Sequence, residues 1–165
     1  MIPNPQRIKA FRTERAFEVW LSKNHARWPE LWLRFYKKGS GVPTVTYAQA
    51  LDVALCWGWI DGLKKSYDDE SFLQRFTPRG PRSSWSQINQ GHVARLTAAK
   101  RMTPHGQKHI ASAKVDGRWA AAYAPIRSAS VASIPKDLRA AIDVNPRARK
   151  IAALVALLAK GRFVL

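Results

Sequence analysis

At 165 residues the chain has the length of one domain, and its 46% apolar content is enough for a hydrophobic core without disulfides or metals. Its single cysteine, Cys56, excludes an internal disulfide and any zinc site built on a cysteine pair. The formal net charge of +17 would attract nucleic acid, anionic lipid or acidic ligands, although a generally basic proteome would give the same excess without any partner.

The amino-terminal 20 residues are rich in charged side chains and contain no apolar run of signal-peptide length. No segment approaches the roughly 20 consecutive apolar residues that a membrane-spanning helix needs. We therefore expect a cytoplasmic protein without a transmembrane segment. The excess of basic side chains rises from +6 over residues 1–82 to +11 over residues 83–165.

The first elements of the chain are predicted from prolines, a cap and an alternating run. Residues 1–12 contain two prolines and are expected to form an extended lead-in. Thr13 can cap a helix over Glu14–Asn24, whose apolar residues have the i, i+3, i+4 spacing of a buried face. The segment Leu31–Tyr36 alternates and is rich in aromatic residues, which predicts a strand.

A capping box and a hairpin are predicted in the centre of the chain. Thr46 and Gln49 have the spacing at which a hydroxyl and an amide each satisfy an unpaired backbone N–H, so a helix is expected as far as about Trp57. Two short strands, at 63–67 and 71–77, are predicted to pair through an acidic turn.

Two further helices are predicted from their capping residues. Ser84 and Gln87 repeat the capping-box spacing and indicate a helix to about Lys100. Thr103 precedes a proline, the cap and first-turn chemistry of another helix that is expected to run to Lys114.

Together these elements predict an α+β fold, a small antiparallel sheet of about three strands surrounded by about six helices. The core domain is expected over residues 13–119, with a connection of small, mixed residues at 120–134 and two C-terminal helices at 135–165. The last helix carries an apolar stripe flanked by basic residues. Such a stripe is typical of a core or homodimer contact, and also of a helix that lies on an anionic membrane.

A series of ordered motifs resembles the YdeI/OmpD-associated family of bacterial proteins, and the resemblance extends from Ala16 to Pro146. The motifs are YxxAL at 47–51, ALCWGWIDG at 54–62, QRFTPR at 74–79, SxWSxxN at 83–89, RMTPxG at 101–106 and AKxDGRW at 113–119. The resemblance implies a stress or bacteriocin-resistance factor, but it specifies no reaction. Residues 135–165 depart from the family pattern because the basic block near 147–151 follows almost directly on Pro146, which indicates either a deletion that shortens this region or a diverged terminus.

Seven residues in the central motifs are predicted to bind a ligand. They are Trp59, Asp61, Arg75, Arg79, Ser84, Trp85 and Asn89. Guanidinium groups bind phosphate or carboxylate through paired hydrogen bonds, and indoles offer stacking faces. We therefore expect an anionic or aromatic ligand, or a partner that presents such groups. The alternative is that the arginines stack on the tryptophans to close the core.

Catalysis and nucleic-acid binding are the alternative functions. Asp61 is the candidate general acid or base if the protein is an enzyme, but no second carboxylate or histidine stands at a diagnostic spacing, so binding is preferred. Non-specific nucleic-acid binding is supported by charge and by no motif. His105 and His109 lack the glutamate of the zinc-protease pattern, so a solvated pair is expected, with no metal and no cofactor.

Overall fold

A computed structural model describes residues 3–124 and residue 144 of the chain. Its strands are β1 (Ile8–Ala10), β2 (Leu31–Tyr36), β3 (Trp59–Ser66) and β4 (Ser71–Pro78). They form one sheet in the order β1-β2-β4-β3. Strand β1 runs parallel to β2, whereas β4 is antiparallel to both β2 and β3.

Each α-helix of this region begins at a hydroxyl side chain that accepts a hydrogen bond from a first-turn backbone N–H. The helices are α1 (Glu14–Asn24), α2 (Tyr47–Cys56), α3 (Gln87–Ala98) and α4 (Pro104–Val115), with single 3-10 turns at Pro5–Arg7 and Lys38–Ser40. Their caps are Thr13, Thr46, Ser86 and Thr103. At α2 the side chain of Gln49 also returns to the backbone of Thr46, which completes the predicted capping box.

The predicted α+β class is confirmed, but the element count and the type of sheet differ. The described residues contain four strands and four α-helices, and the sheet is mixed because three residues of the expected lead-in pair with β2. Most of the predicted connection at 120–134, the helices predicted at 135–165 and the predicted dimer contact lie outside the described residues.

The β3–β4 hairpin is longer than its sequence pattern predicts. Strand β3 begins at Trp59 instead of residue 63, and its pairing with β4 is interrupted by a bulge between Asp61 and Lys64. The buried amide of Gln74 donates to the carbonyl of Gly62 within this irregular stretch, at 2.8 Å. Bulges recur beside functional sites because they redirect side chains out of the regular ladder.

Helix α2 is shared by two hydrophobic clusters, and seven consecutive residues from Ala50 to Cys56 are buried. The first cluster packs α1 and α2 against one face of the sheet, and its members include Phe17, Leu21, Leu33, Val53 and Phe76. The second packs α2 against α3 and α4, and its members include Leu55, Cys56, Trp85, Leu96 and Ala113.

Burial explains why the thiol of the single cysteine stays protonated. Cys56 is 3% exposed in the second cluster, and desolvation raises the pKa of its thiol to about 11. The thiol is therefore protonated at neutral pH and acts as a small apolar side chain.

Among the helices of residues 3–124 we find none with the length and hydrophobicity that crossing a bilayer requires.

The contact between α2 and α4 requires a glycine. The hydroxyl of Thr103 donates to the carbonyl oxygen of Cys56 at 2.6 Å, which satisfies an acceptor at the end of α2. Gly106 lies directly against the same carbonyl, and a Cβ at this position would be 2.3 Å from its oxygen. Because both partners are backbone, neither can rotate away.

We expect Gly106→Ala to lower the free energy of unfolding by about 1–3 kcal/mol, the usual cost of overpacking a rigid contact. The matched control is Gly91→Ala in α3, where a Cβ meets nothing within 4 Å. There alanine should raise the free energy of unfolding by about 0.5–1 kcal/mol through helix propensity. Urea unfolding of the two variants measures both effects, and a neutral Gly106→Ala would contradict the contact.

Candidate functional site

A cavity of about 320 Å³ lies where β3, the end of β4 and the first turn of α3 meet. Its lining residues are Ile60, Asp61, Arg79, Ser83, Ser84, Asn89 and Tyr123. Four of the seven residues predicted to bind a ligand are therefore brought together here, namely Asp61, Arg79, Ser84 and Asn89.

Arg79 is buried in the wall of this cavity, with only 4% of its surface exposed. Its backbone N–H donates to the carbonyl of Gly58 at 2.9 Å, and its Nη1 donates to the carbonyl of Ser84 at 3.0 Å. The guanidinium carbon lies 3.6 Å from the centre of the Trp85 ring. Two contacts therefore fix the position of the guanidinium, and a third holds the backbone of Arg79.

Two further nitrogens of the Arg79 guanidinium have no acceptor among the described residues. Its Nε and Nη2 are buried without a hydrogen-bond partner, and no carboxylate within residues 3–124 is close enough to form an ion pair with it. Desolvation lowers the pKa of Arg79 to about 10, although the nearby charge of Asp61 opposes that change. The group is still a cation at neutral pH. A buried cation with two unpartnered donor nitrogens is unfavourable until an acceptor reaches it.

Trp85 supports Arg79 from inside the protein. Trp85 is 2% exposed, and its ring centre lies 4.8 Å from that of Trp119. The backbone on either side of the next residue, Ser86, is joined to Tyr123, because the N–H of Tyr123 donates to the carbonyl of Trp85 and the carbonyl of Tyr123 accepts from the N–H of Gln87. Trp85 therefore positions the guanidinium and is not an exposed stacking face for a ligand.

Asp61 contributes a negative charge to the cavity that contains Arg79. Its Oδ2 accepts a hydrogen bond from the Tyr47 hydroxyl at 2.6 Å, and we find no hydrogen bond to its Oδ1 in the described part of the chain. Burial and the hydrogen bond to Asp61 raise the pKa of Tyr47, so the tyrosine remains a donor at neutral pH. This bond fixes the orientation of the carboxylate.

Trp59 and Arg75 lie away from the cavity. Trp59 is fully buried in the first hydrophobic cluster, where its indole N–H donates to the carbonyl of His25 at 3.2 Å. The Nε of Arg75 pairs with Glu30 at 2.7 Å, and Glu30 is also bound by Arg7. Burial raises the pKa of Glu30, but the hydrogen bonds from the two arginines outweigh it and the net change is downward.

Ser84 lines the cavity without capping a helix. The cap of α3 is Ser86, whose Oγ accepts from the N–H of Asn89 at 3.1 Å, so the predicted capping box at Ser84 and Gln87 is wrong by two residues. The parallel bridge between Ser86 and Tyr123 keeps the preceding backbone extended, which prevents the helix from starting earlier.

Three cavity residues, Ile60, Ser83 and Tyr123, are not among the residues predicted to bind a ligand. Ser83 belongs to the SxWSxxN motif, which was a usable signal, and its Oγ accepts from the N–H of Gly80 at 2.9 Å. Tyr123 comes from a segment predicted as a connection, and no local pattern indicates its return to Trp85.

A second cavity, of about 470 Å³, lies between α3 and α4. It is larger but mainly apolar, with Val93, Ile110 and Trp119 among its lining residues. Volume therefore favours the cavity between α3 and α4 as the functional site, whereas the charged lining favours the one that contains Arg79 and Asp61. We take the smaller one as the candidate site because it contains the unsatisfied charge.

Three histidines form a cluster on the other side of Gly58. The rings of His25 and His105 are 4.5 Å apart, and those of His105 and His109 are 5.3 Å apart. A Cβ on Gly58, whose φ is +70°, would lie 2.4 Å from the His109 ring. His105 and His109 are therefore half-buried and in contact, and are not the solvated pair expected. No group of three ligands suited to a metal ion occurs within the described residues.

A family model described as a domain of unknown function (DUF8412) matches residues 9–109. The matched span contains Asp61, Arg79 and Asn89, and ends before Tyr123. No curated protein and no solved structure matches the chain.

The histidine cluster predicts how stability depends on pH. Burial, followed by the charge of neighbouring groups, lowers the pKa of His105 and His109 below the ordinary value of 6.5. The unfolded chain then takes up protons more readily than the folded one below about pH 6.5. We expect the free energy of unfolding to be constant above this pH and to fall as the pH drops to 5, as measured by urea unfolding.

His109→Gln should reduce this pH dependence, because it removes one of the two histidines whose pKa is lowered by burial. The pKa values of Glu30, Asp68 and Asp116 are also lowered, from ordinary values of 4.5, 3.8 and 3.8. These carboxylates change the stability at lower pH than the histidines do. An unchanged slope in His109→Gln would exclude the cluster as the cause.

Proposed function

We propose that this chain, which belongs to the DUF8412 family, binds a small ligand through an anionic group held by Arg79. The observation that carries the proposal is the pair of unpartnered donors, Nε and Nη2, on a guanidinium that is 4% exposed. These two N–H groups lie on the same edge of the guanidinium and point in parallel directions. One carboxylate or phosphate can accept both hydrogen bonds at once.

The groups around Arg79 suit an anion. Asn89 lies in the first turn of α3, where the positive end of the helix dipole adds to the field. The Ser83 hydroxyl accepts from Gly80, so its own O–H is available to a ligand. The charge of Arg118 also reaches the site, since it lowers the pKa of Arg79 further.

The aromatic part of the expected ligand chemistry receives less support. Trp59 and Trp85 are both buried, and the exposed ring at the cavity is that of Tyr123. We therefore place the specificity in the anionic group and not in stacking on indoles. The role in stress or bacteriocin resistance that the YdeI/OmpD resemblance implies stays a prediction.

Catalysis by Asp61 is the weaker alternative. Asp61 lines the cavity and could exchange a proton with a ligand, but it already accepts a hydrogen bond from Tyr47. Neither a second carboxylate nor a histidine is among the residues that line this cavity in the described chain. General acid and base chemistry usually needs two such groups with separated pKa values, so binding is the better-supported function.

Arg79→Met tests the proposal. We expect phosphate or acetate, titrated against chloride at constant ionic strength, to raise the Tm of the wild-type protein and to leave the Tm of this variant unchanged. Without ligand, the variant should be more stable by about 1 kcal/mol, because methionine fills a similar space without a buried, partly unsatisfied charge. Thermal unfolding followed by tryptophan fluorescence measures both quantities.

Arg75→Met is the matched control, since it removes the same charge from a side chain that is already paired with Glu30. It should keep the full anion response and lose at most about 1 kcal/mol of stability. An equal loss of anion response in the two variants would mean that bulk charge is responsible, and the proposed site would be wrong.

A further inference from the structure

Two opposite charges, Arg79 and Asp61, line one cavity without forming an ion pair. They interact electrostatically, since Asp61 raises the pKa of Arg79, but no hydrogen bond or salt bridge joins them. Each is instead fixed by other groups, Arg79 by Ser84 and Trp85, and Asp61 by Tyr47. The two charges are therefore held apart with the cavity between them.

Asp61 weakens the binding of a ligand that carries only negative charge, although Arg79 still attracts it. An anion bound to Arg79 would lie in the field of the Asp61 carboxylate, and a dianionic phosphate would be repelled more strongly than a carboxylate. The carboxylate is not available to turn away, because Tyr47 holds its Oδ2 at 2.6 Å.

Among the described residues that line the cavity, Arg79 is the one basic side chain. Arg118 also acts electrostatically on Arg79, but its guanidinium binds Asp116 and the carbonyl of Ser83. Within the described chain the Oδ1 atom of Asp61 accepts no hydrogen bond. The cavity is thus lined by a carboxylate oxygen that is free to accept a hydrogen bond and by a guanidinium whose Nε and Nη2 are buried without a partner.

We infer that the cavity binds a small zwitterion, with its carboxylate or phosphate on Arg79 and its ammonium group on Asp61. This inference rests on the proposed function and adds the second charge of the ligand. A zwitterion satisfies both charges and is not repelled by either. The volume of about 320 Å³ would hold roughly ten water molecules at about 30 Å³ each, so the ligand has on the order of ten non-hydrogen atoms.

The test compares ligands of equal length that differ in charge. Glycine, β-alanine, 4-aminobutyrate and 5-aminopentanoate are titrated into the wild-type protein beside acetate, propionate, butyrate and pentanoate, with tryptophan fluorescence and calorimetry as readouts. We expect one amino acid of the series to bind about tenfold more tightly than the carboxylate of the same length. The chain length of the amino acid that binds most tightly indicates the distance between the charges of Arg79 and Asp61.

Asp61→Asn should abolish the advantage of the amino acid and make binding of the plain carboxylate tighter, since the repulsive charge is removed. Asp69→Asn is the matched control, because Asp69 is an exposed carboxylate in the β3–β4 turn and is absent from the cavity. It should keep the wild-type preference.

The outcomes separate this inference from the proposed function. If plain carboxylates bind through Arg79 and no amino acid binds better at any length, the zwitterion is excluded and the anion site stands. An ammonium advantage that survives in Asp61→Asn would also overturn the inference. If no probe binds the wild-type protein, the anion site and the inference both fail.

Discussion

The stack of the Arg79 guanidinium on the Trp85 ring is the contact on which the candidate site depends. It joins the end of β4 to the segment before α3, and Trp85 in turn packs on Trp119. The same segment is bonded to Tyr123, which closes another side of the cavity. A cation on an indole contributes about 0.5–2 kcal/mol, less than the desolvation of a buried charge costs, so the stack positions Arg79 without compensating for its burial.

Local chemistry determined which elements could be predicted from the sequence. Thr13, Thr46 and Thr103 each cap a helix through bonds within one turn, and all three helices begin where the sequence indicates. The cap of α3 was misplaced because a partner 37 positions away, Tyr123, holds Ser86 in an extended conformation. Strand β1 was missed for the same reason, since three residues acquire strand structure only by pairing with β2.

Site residues were likewise predictable where nearby sequence places them, and not where a distant partner decides their role. Four predicted residues line the same cavity because the β3–β4 hairpin and the loop after it bring neighbouring parts of the sequence together. They are Asp61, Arg79, Ser84 and Asn89. Arg75 lies on β4, four residues before Arg79, but it pairs across the sheet with Trp32 and reaches Glu30. Composition alone does not distinguish a paired arginine from an unpaired one.

Burial and pairing distinguish Arg79 from Arg75, whereas the net charge of +17 does not. Surface charges act through solvent and are screened within about 10 Å at ordinary salt, so they attract many anions and select none. Of the arginines in residues 3–124, Arg79 alone has buried N–H groups without a partner, and it keeps them at an energetic cost to the fold. A group of this kind favours an acceptor with the matching geometry. The long-range field then concentrates anions around the protein, whereas the cavity, with Asp61 opposite Arg79, determines which of them can bind.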